Sequence, residues 1–169
     1  MRCTGCGGKV SGAVLSRVLS RLQIPDSPHV MLGLESPDDA AIVRPPGGRP
    51  VAATVDFFAA PLTDAYLAGR IAALNALSDV FALGAKPLAA LAMATIPVGP
   101  DHVQEQVLLE LLSGSLDEFR RVKMPLVGGH TIEGPQLTVG FTILADLEDG
   151  TPRTKDCLRV GDHLVLTKP

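Results

Sequence analysis

From Leu88 to Val98 the chain reads Leu-Ala-Ala-Leu-Ala-Met-Ala-Thr-Ile-Pro-Val, with no charge in the run. It is too short to span a membrane as a helix, which takes roughly 18 or more apolar residues. Following Pro87, it reads as a strand buried on both faces. A strand of that kind needs elements packed over it, and the flanking sequence supplies them. Before it, Asp64 to Leu83 has helical spacing and stops at Gly84, with Leu67, Ile71, Leu74, Leu77 and Phe81 as an apolar stripe. Asn75 and Asp79, four apart, share another face of that helix. After it, His102 to Val122 reads as a second long helix.

The remaining elements are shorter. Val14, Leu15, Val18, Leu19 and Leu22 fall at helical spacing behind Ser11 as N-cap, and Pro25 and Pro28 close that helix. His29 to Leu34, Ala40 to Val43 and Val51 to Val55 read as strands, the last two around the turn Pro45-Pro46-Gly47-Gly48. A short strand follows Pro125, and Leu137 to Leu147 and His163 to Thr167 read as the last strands. The order predicts an α+β domain, a mixed sheet with helices on one face.

Of 169 residues, 46% are apolar but only 4% aromatic, with no Trp, so the core must be aliphatic and Ala-rich. So apolar a small domain is expected to bury surface in a partner. Two copies packing sheet to sheet would cover the second face of the sheet. A net charge of −3 speaks against a nucleic-acid-binding surface. Arg17 and Arg21 interrupt the only signal-like stretch, and no apolar run reaches membrane-spanning length, so the cytoplasm is the expected compartment.

Three cysteines, Cys3, Cys6 and Cys157, are an odd set with two of them three apart, unlike a secreted disulfide scaffold. Cys3-Thr4-Gly5-Cys6 has the form of one zinc knuckle, but a structural zinc needs four ligands and no second Cys pair exists. A redox pair or a reactive thiol fits better. In Gly5-Cys6-Gly7-Gly8-Lys9 an ammonium three residues from the thiol favours the thiolate. Such a loop is either a lid that excludes water from a reactive intermediate or a plain disordered tail.

Acidic residues gather where elements meet: Asp38 and Asp39 before a strand, Asp56 after one, Asp79 in a helix of apolar and small residues. Carboxylates buried at such places need a partner or a cation, and Mg²⁺ takes one or two carboxylates together with phosphate and water. Taken singly, each has a simpler reading. Asp38 or Asp39 caps a turn, and Asp79 pairs with Arg70 or Lys86. Gly128-Gly129-His130-Thr131 reads as a glycine-rich turn, either a plain hairpin or a phosphate cradle, and it lacks the Lys of a Walker sequence.

Together these segments resemble selenophosphate synthetase (selenide, water dikinase). The resembling blocks are Gly5-Cys6-Gly7-Gly8-Lys9, Asp38-Asp39-Ala40-Ala41, Thr54-Val55-Asp56-Phe57-Phe58, Gly69-Arg70-Ile71-Ala72-Ala73 with Asn75-Ala76-Leu77-Ser78-Asp79, Gly84-Ala85-Lys86-Pro87, Gly129-His130-Thr131-Ile132-Glu133-Gly134-Pro135 and Leu166-Thr167-Lys168-Pro169. Several are shared with the wider superfamily of aminoimidazole ribonucleotide synthetase and thiamine monophosphate kinase. The Cys-Gly-Gly-Lys loop and Thr-Val-Asp-Phe-Phe segment narrow the resemblance to the selenium enzyme.

The resemblance implies conversion of selenide, water and ATP to selenophosphate, AMP and phosphate, with Mg²⁺. It makes Cys6 the catalytic thiol and Lys9 a catalytic, ATP-contacting lysine. It assigns Mg²⁺ to Asp39 and Asp79, with Pro37, Asp38, Asp56, Asn75 and Asp79 at the nucleotide. Gly129, His130 and Thr131 would reach that nucleotide from the other subunit of a homodimer. It also divides the chain into a catalytic loop, 1–10, and an ATP-binding domain, 11–169.

Two departures accompany it. Gly8 stands where some members have a second Cys before the Lys. The likeness also stops where the family leaves its first domain, so the family's C-terminal α/β domain, which carries another metal-binding Asp, is expected to be absent here, and this half alone is expected to turn over little. Met1-Arg2-Cys3 resembles the junction to a fused oxidoreductase. The alternatives are a related ATP-dependent enzyme with another substrate and a non-catalytic nucleotide-binding or dimerisation module.

Overall fold

The computed structural model describes residues 10–148 and 150–166. Among these, the chain forms α1 (Gly12–Leu19), β1 (Val30–Leu32), β2 (Ala41–Val43), β3 (Val51–Ala59), α2 (Ala65–Ala82), β4 (Lys86–Pro97), α3 (Asp101–Arg121), β5 (Leu126–Gly134) and β6 (Thr138–Asp146). The six strands make one sheet in the order β1-β2-β3-β6-β4-β5. All neighbours are antiparallel except β4 and β5, which α3 joins as a parallel pair. This is the expected α+β architecture, a mixed sheet with α2 and α3 on one face. No helix among the described residues is long and apolar enough to cross a membrane.

Helix ends follow local chemistry. The Ser11 side chain accepts from the Val14 N–H at the start of α1, and Asp64 accepts from Leu67 N–H at the start of α2. After α2, Gly84 adopts a left-handed φ of +69° and turns the chain into β4. Helix α1 stops at Leu19, before Leu22 and well ahead of the prolines anticipated to close it.

The long strand β4 differs from its anticipated setting. Ala90, Ala92, Ala94 and Ile96 are buried under the helices, whereas Leu91 on the opposite face is exposed. Among the described residues no layer covers that side, so burial alternates as in a one-sided antiparallel sheet. The apolar stripe expected to bury α2 is only partly inside, with Leu77 buried and Ile71 packed against the core. Leu67, Leu74 and Phe81 are exposed, and the buried face is Ala65, Ala68, Gly69, Ala72, Ala73, Ala76, Leu77 and Val80.

The reason is space. Helix α2 packs closely against both the sheet and α3, and the two helices touch backbone to backbone. A Cβ on Gly69 would run into the Leu111 carbonyl, and one on Gly114 would run into the Tyr66 carbonyl. Ser115 Oγ donates across the crossing to Gly69 O at 3.1 Å, and Arg70 Nε meets the buried Glu118 carboxylate at 2.6 Å. Below, Phe119 of α3 and Phe141 of β6 stack edge to face with centroids 5.0 Å apart.

His163 to Leu166 form no strand; Leu164, Val165 and Leu166 are exposed and no sheet edge lies against them to supply ladder bonds. Thr167 lies outside the described residues.

Gly69→Ala is expected to push α2 and α3 apart and destabilise the domain by about 1–3 kcal/mol, the usual range for overpacking. For a chain of this size that lowers Tm by roughly 2–12 °C in a calorimetric scan. An unchanged Tm would show that the crossing does not limit helix separation.

Candidate functional site

The start of β2, the middle of β3 and the last turns of α2 meet on the helix-covered side of the sheet. Asp38 and Asp39 sit in the loop just before β2. Alternation along β3 turns Thr54 and Asp56 inward, both buried among apolar neighbours. Asp56 therefore lies inside the strand and not after it, as its sequence position had suggested. From α2, Asp79 reaches β3 and its Oδ2 accepts from Thr54 Oγ1 at 2.7 Å; the same hydroxyl lies 3.3 Å from the Asp39 carbonyl oxygen. Thr54 thus ties the loop, the strand and the helix together. The simpler pairing of Asp79 does not occur: Arg70 binds Glu118 and Lys86 binds Glu148. Asn75, one turn earlier on the same face of α2, is half-buried, and Pro37 is exposed.

The most informative contact comes from a distant segment. Residues 153–157 fold back as a strap, with Arg153 N–H donating to Leu83 O at 3.1 Å at the end of α2. The Lys155 N–H donates to Asp38 Oδ2 at 2.9 Å, and its Nζ sits 2.6 Å from Asp39 Oδ1. Asp38 Oδ1 also accepts from the Asp39 N–H at 2.7 Å, so this carboxylate does cap its own turn. The Lys155 backbone bond, the Asp39 N–H and the nearby ammonium hold Asp38 below the ordinary carboxylate range, against a smaller opposing effect of burial. Lys155 is raised by its bond to Asp39 and by the charges of Asp39, Asp38 and Asp79. Neither Thr54 nor Lys155 had been assigned a role from sequence. Thr54 was signalled by alternation with Asp56, whereas nothing local in Thr154-Lys155-Asp156-Cys157 announces a partner so far upstream.

The structure does not bring all the anticipated site residues together. Gly129, His130 and Thr131 lie in β5, at the edge of the sheet three strands from β3, and form a strand in place of the anticipated turn. Gly129 is required there by close approach, because a Cβ would meet the Ala92 backbone of β4. His130 pairs with Met93 on the open face, and Thr131 pairs with Ala94 on the helix side. Thr131 and Glu133 line a cleft of about 310 Å³ against Gln104 and Leu108 of α3. Cys6 and Lys9, like Cys3, lie outside the described residues. Cys157 is a free, exposed thiol 3.1 Å from Thr154 Oγ1.

The donors gathered at Asp38, Asp39 and Asp79 are hard oxygens, the set that suits Mg²⁺. Among the described residues no three His, Cys, Asp or Glu side chains form a ready-made metal cage.

The two shifts fix a pH window for the strap. A depressed Asp38 contributes above the ordinary aspartate range and is lost as pH falls through its folded value; a raised Lys155 contributes below the ordinary lysine range and is lost as pH rises through its folded value. NMR titration is expected to show the Lys155 amide moving with a midpoint below that of a free aspartate. The Lys155 Cε is expected to titrate above a free lysine. Ordinary midpoints at both would mean the strap is undocked in solution.

Residues 37–146, from the Asp38 loop to the end of β6, match the family described as AIR synthase related protein, N-terminal domain. Selenide, water dikinase of Nitratidesulfovibrio vulgaris (strain DP4) is 40% identical over 172 residues, covering 99% of this chain and 48% of that protein. The chain therefore spans about half the length of the relatives it matches. Among solved structures, tt0281 from Thermus thermophilus superposes with a TM-score of 0.66 at 25% identity, over 83% of this chain and 44% of that one. AaThiL complexed with AMPPCP and TMP shares the fold with a TM-score of 0.60 at 18% identity, over 80% of this chain and 40% of its own. The matched span contains five of the six strands with both packed helices, and the chain belongs to the AIR synthase related protein family through its N-terminal domain.

Proposed function

We propose that this chain is the ATP-binding half of a selenophosphate synthetase, which makes selenophosphate, AMP and phosphate from selenide, water and ATP. The likeness to a selenide, water dikinase over 99% of the chain carries this reading. The convergence of Asp38, Asp39, Thr54 and Asp79 supports it, because phosphoryl transfer depends chiefly on positioning and charge neutralisation. AMPPCP bound to a protein of the same fold is consistent with ATP as the nucleotide.

In this reading residues 11–169 form the nucleotide-binding domain and residues 1–10 a catalytic loop. Asp39 and Asp79 hold Mg²⁺, which when bound neutralises phosphate charge. Thr54 fixes the rotamer of Asp79 for that task, and Pro37, Asp38, Asp56 and Asn75 line the nucleotide. Cys6 serves as the catalytic thiol and Lys9 as an ATP-contacting amine. A further domain completes the cleft, and the protein works in the cytoplasm.

The reading includes a homodimer formed through the open face of the sheet. Val55 and Phe57 of β3, Leu91 of β4, Ile132 of β5 and Leu144 of β6 are exposed on that face, with Phe57 at 49%. Such a contiguous apolar face is unusual on a monomer. His130 shares a row with Met93, Gly140 and Phe57, so a second copy seated there would carry its own Gly129, His130 and Thr131 toward this face.

In a chain that includes the second half of its relatives' length, AMP formation from ATP is expected to require selenide and to fall at least 100-fold in Cys6→Ala and in Lys9→Ala. Selenide-independent turnover with another acceptor would favour a related enzyme. Phe57→Glu would place a carboxylate in the middle of the sheet face. It is expected to turn a dimer into a monomer by sedimentation equilibrium, and a dimer that survives the change would locate the contact elsewhere.

A further inference from the structure

We propose that the Lys155 ammonium is a built-in stand-in for the divalent cation at the Asp38–Asp39–Asp79 cluster, so that a metal ion binds there only by displacing the strap. The inference rests on the metal role given to Asp39 and Asp79 above.

Three observations lead to it. First, the ammonium lies 2.6 Å from Asp39 Oδ1, on the carboxylate assigned to the metal, and it feels the charges of Asp38 and Asp79 as well. Mg²⁺ binds oxygen at about 2.0–2.1 Å, so a divalent ion on that oxygen would stand within contact range of a like charge. The two cations compete for one place.

Second, the strap is held by few and replaceable contacts. Its anchors at the site are the Lys155 N–H to Asp38, the Lys155 ion pair and the Arg153 N–H to Leu83 O. The Lys155 side chain remains 61% exposed, the setting in which an ion pair is weak and water can replace it. A divalent ion with its higher charge can therefore dislodge it, and the affinity measured is the intrinsic one reduced by the cost of undocking.

Third, the ammonium makes chemical sense where it is. The neighbouring carboxylates of Asp38 and Asp39 put two like charges in one loop, an arrangement that is unfavourable without a cation nearby. Lys155 supplies one from within the chain. The strap thus keeps the acidic cluster stable in the absence of metal and sets the metal concentration at which the site fills.

Lys155→Gln tests this directly, because it removes the ammonium while keeping the backbone N–H that Asp38 accepts. Mn²⁺ titration of the full chain, followed by the EPR signal of free Mn²⁺, is expected to show three- to tenfold tighter binding in Lys155→Gln than in the native chain. Lys155→Arg, which restores a cation, should return the affinity to the native value or below. Equal Mn²⁺ affinity in the native chain and Lys155→Gln, or weaker binding in the variant, would overturn the inference while leaving the metal site intact. Absence of Mn²⁺ binding in every form would overturn both the inference and the metal role on which it rests. Because the Lys155 side chain is 61% exposed and lies outside the core, thermal scans are expected to show at most a small loss for Lys155→Gln and none for Lys155→Arg, which separates a binding effect from a folding one.

Discussion

The close approach of α2 to α3 governs much of this structure. Glycine at 69 and 114 brings the two backbones into contact, and the Ala-rich face of α2 then lies flat on β3 and β6. A helix so near the sheet can present a short side chain to it, and Asp79 does so, meeting Thr54 across the gap. Larger residues on the inward face would lift α2 and separate that pair. Packing density and site geometry are here the same property.

The candidate site is built from loose and tight parts. Thr54 and Asp56 are locked in a central strand and Asp79 in a buried helix, whereas Asp38 and Asp39 come from a loop and Lys155 from an exposed strap. Packed, buried parts suit positioning, and exposed parts lie open to a ligand. The electrostatics agree with that division, since the ammonium that meets Asp39 belongs to a side chain that is largely exposed.

Much of this was legible in the sequence where periodicity was strong. Both long helices, the cap at Ser11, and the α+β class follow from local pattern, and the family was recognisable from its motif blocks. The misreadings have physical causes. Leu67, Leu74 and Phe81 of α2 were expected inside, but a helix packed this closely against both the sheet and α3 buries mostly its small residues, and no local rule shows how near its neighbours will come. The paired glycines of β5 looked like a turn because glycine breaks regular structure in general, yet Gly129 is there to admit the β4 backbone. Asp56 sits mid-strand because β3 continues to Ala59, carried on by Phe57 and Phe58. Lys155 was invisible because its partners are far away in the chain, and an ammonium in a polar segment carries no address.

The strand order also bears on how the chain reaches this state. Every residue of β3 from Val51 to Ala59 takes its β6 partner from between Thr138 and Asp146, so the centre of the sheet joins an early segment to a late one. During synthesis β3 must wait, its inner side unpaired, while α2, β4, α3 and β5 emerge. The parallel β4–α3–β5 unit has its contacts closer in sequence and is free to assemble first. Insertion of β6 between β3 and β4 then closes the sheet in one late, long-range step. Such a step carries a high loop-closure cost and leaves an apolar edge open while it is pending. A ribosome-bound chain ending before Thr138 would therefore present β3 and β4 as unpaired neighbouring edges, the form in which this domain is most exposed to chaperones and to its own copies.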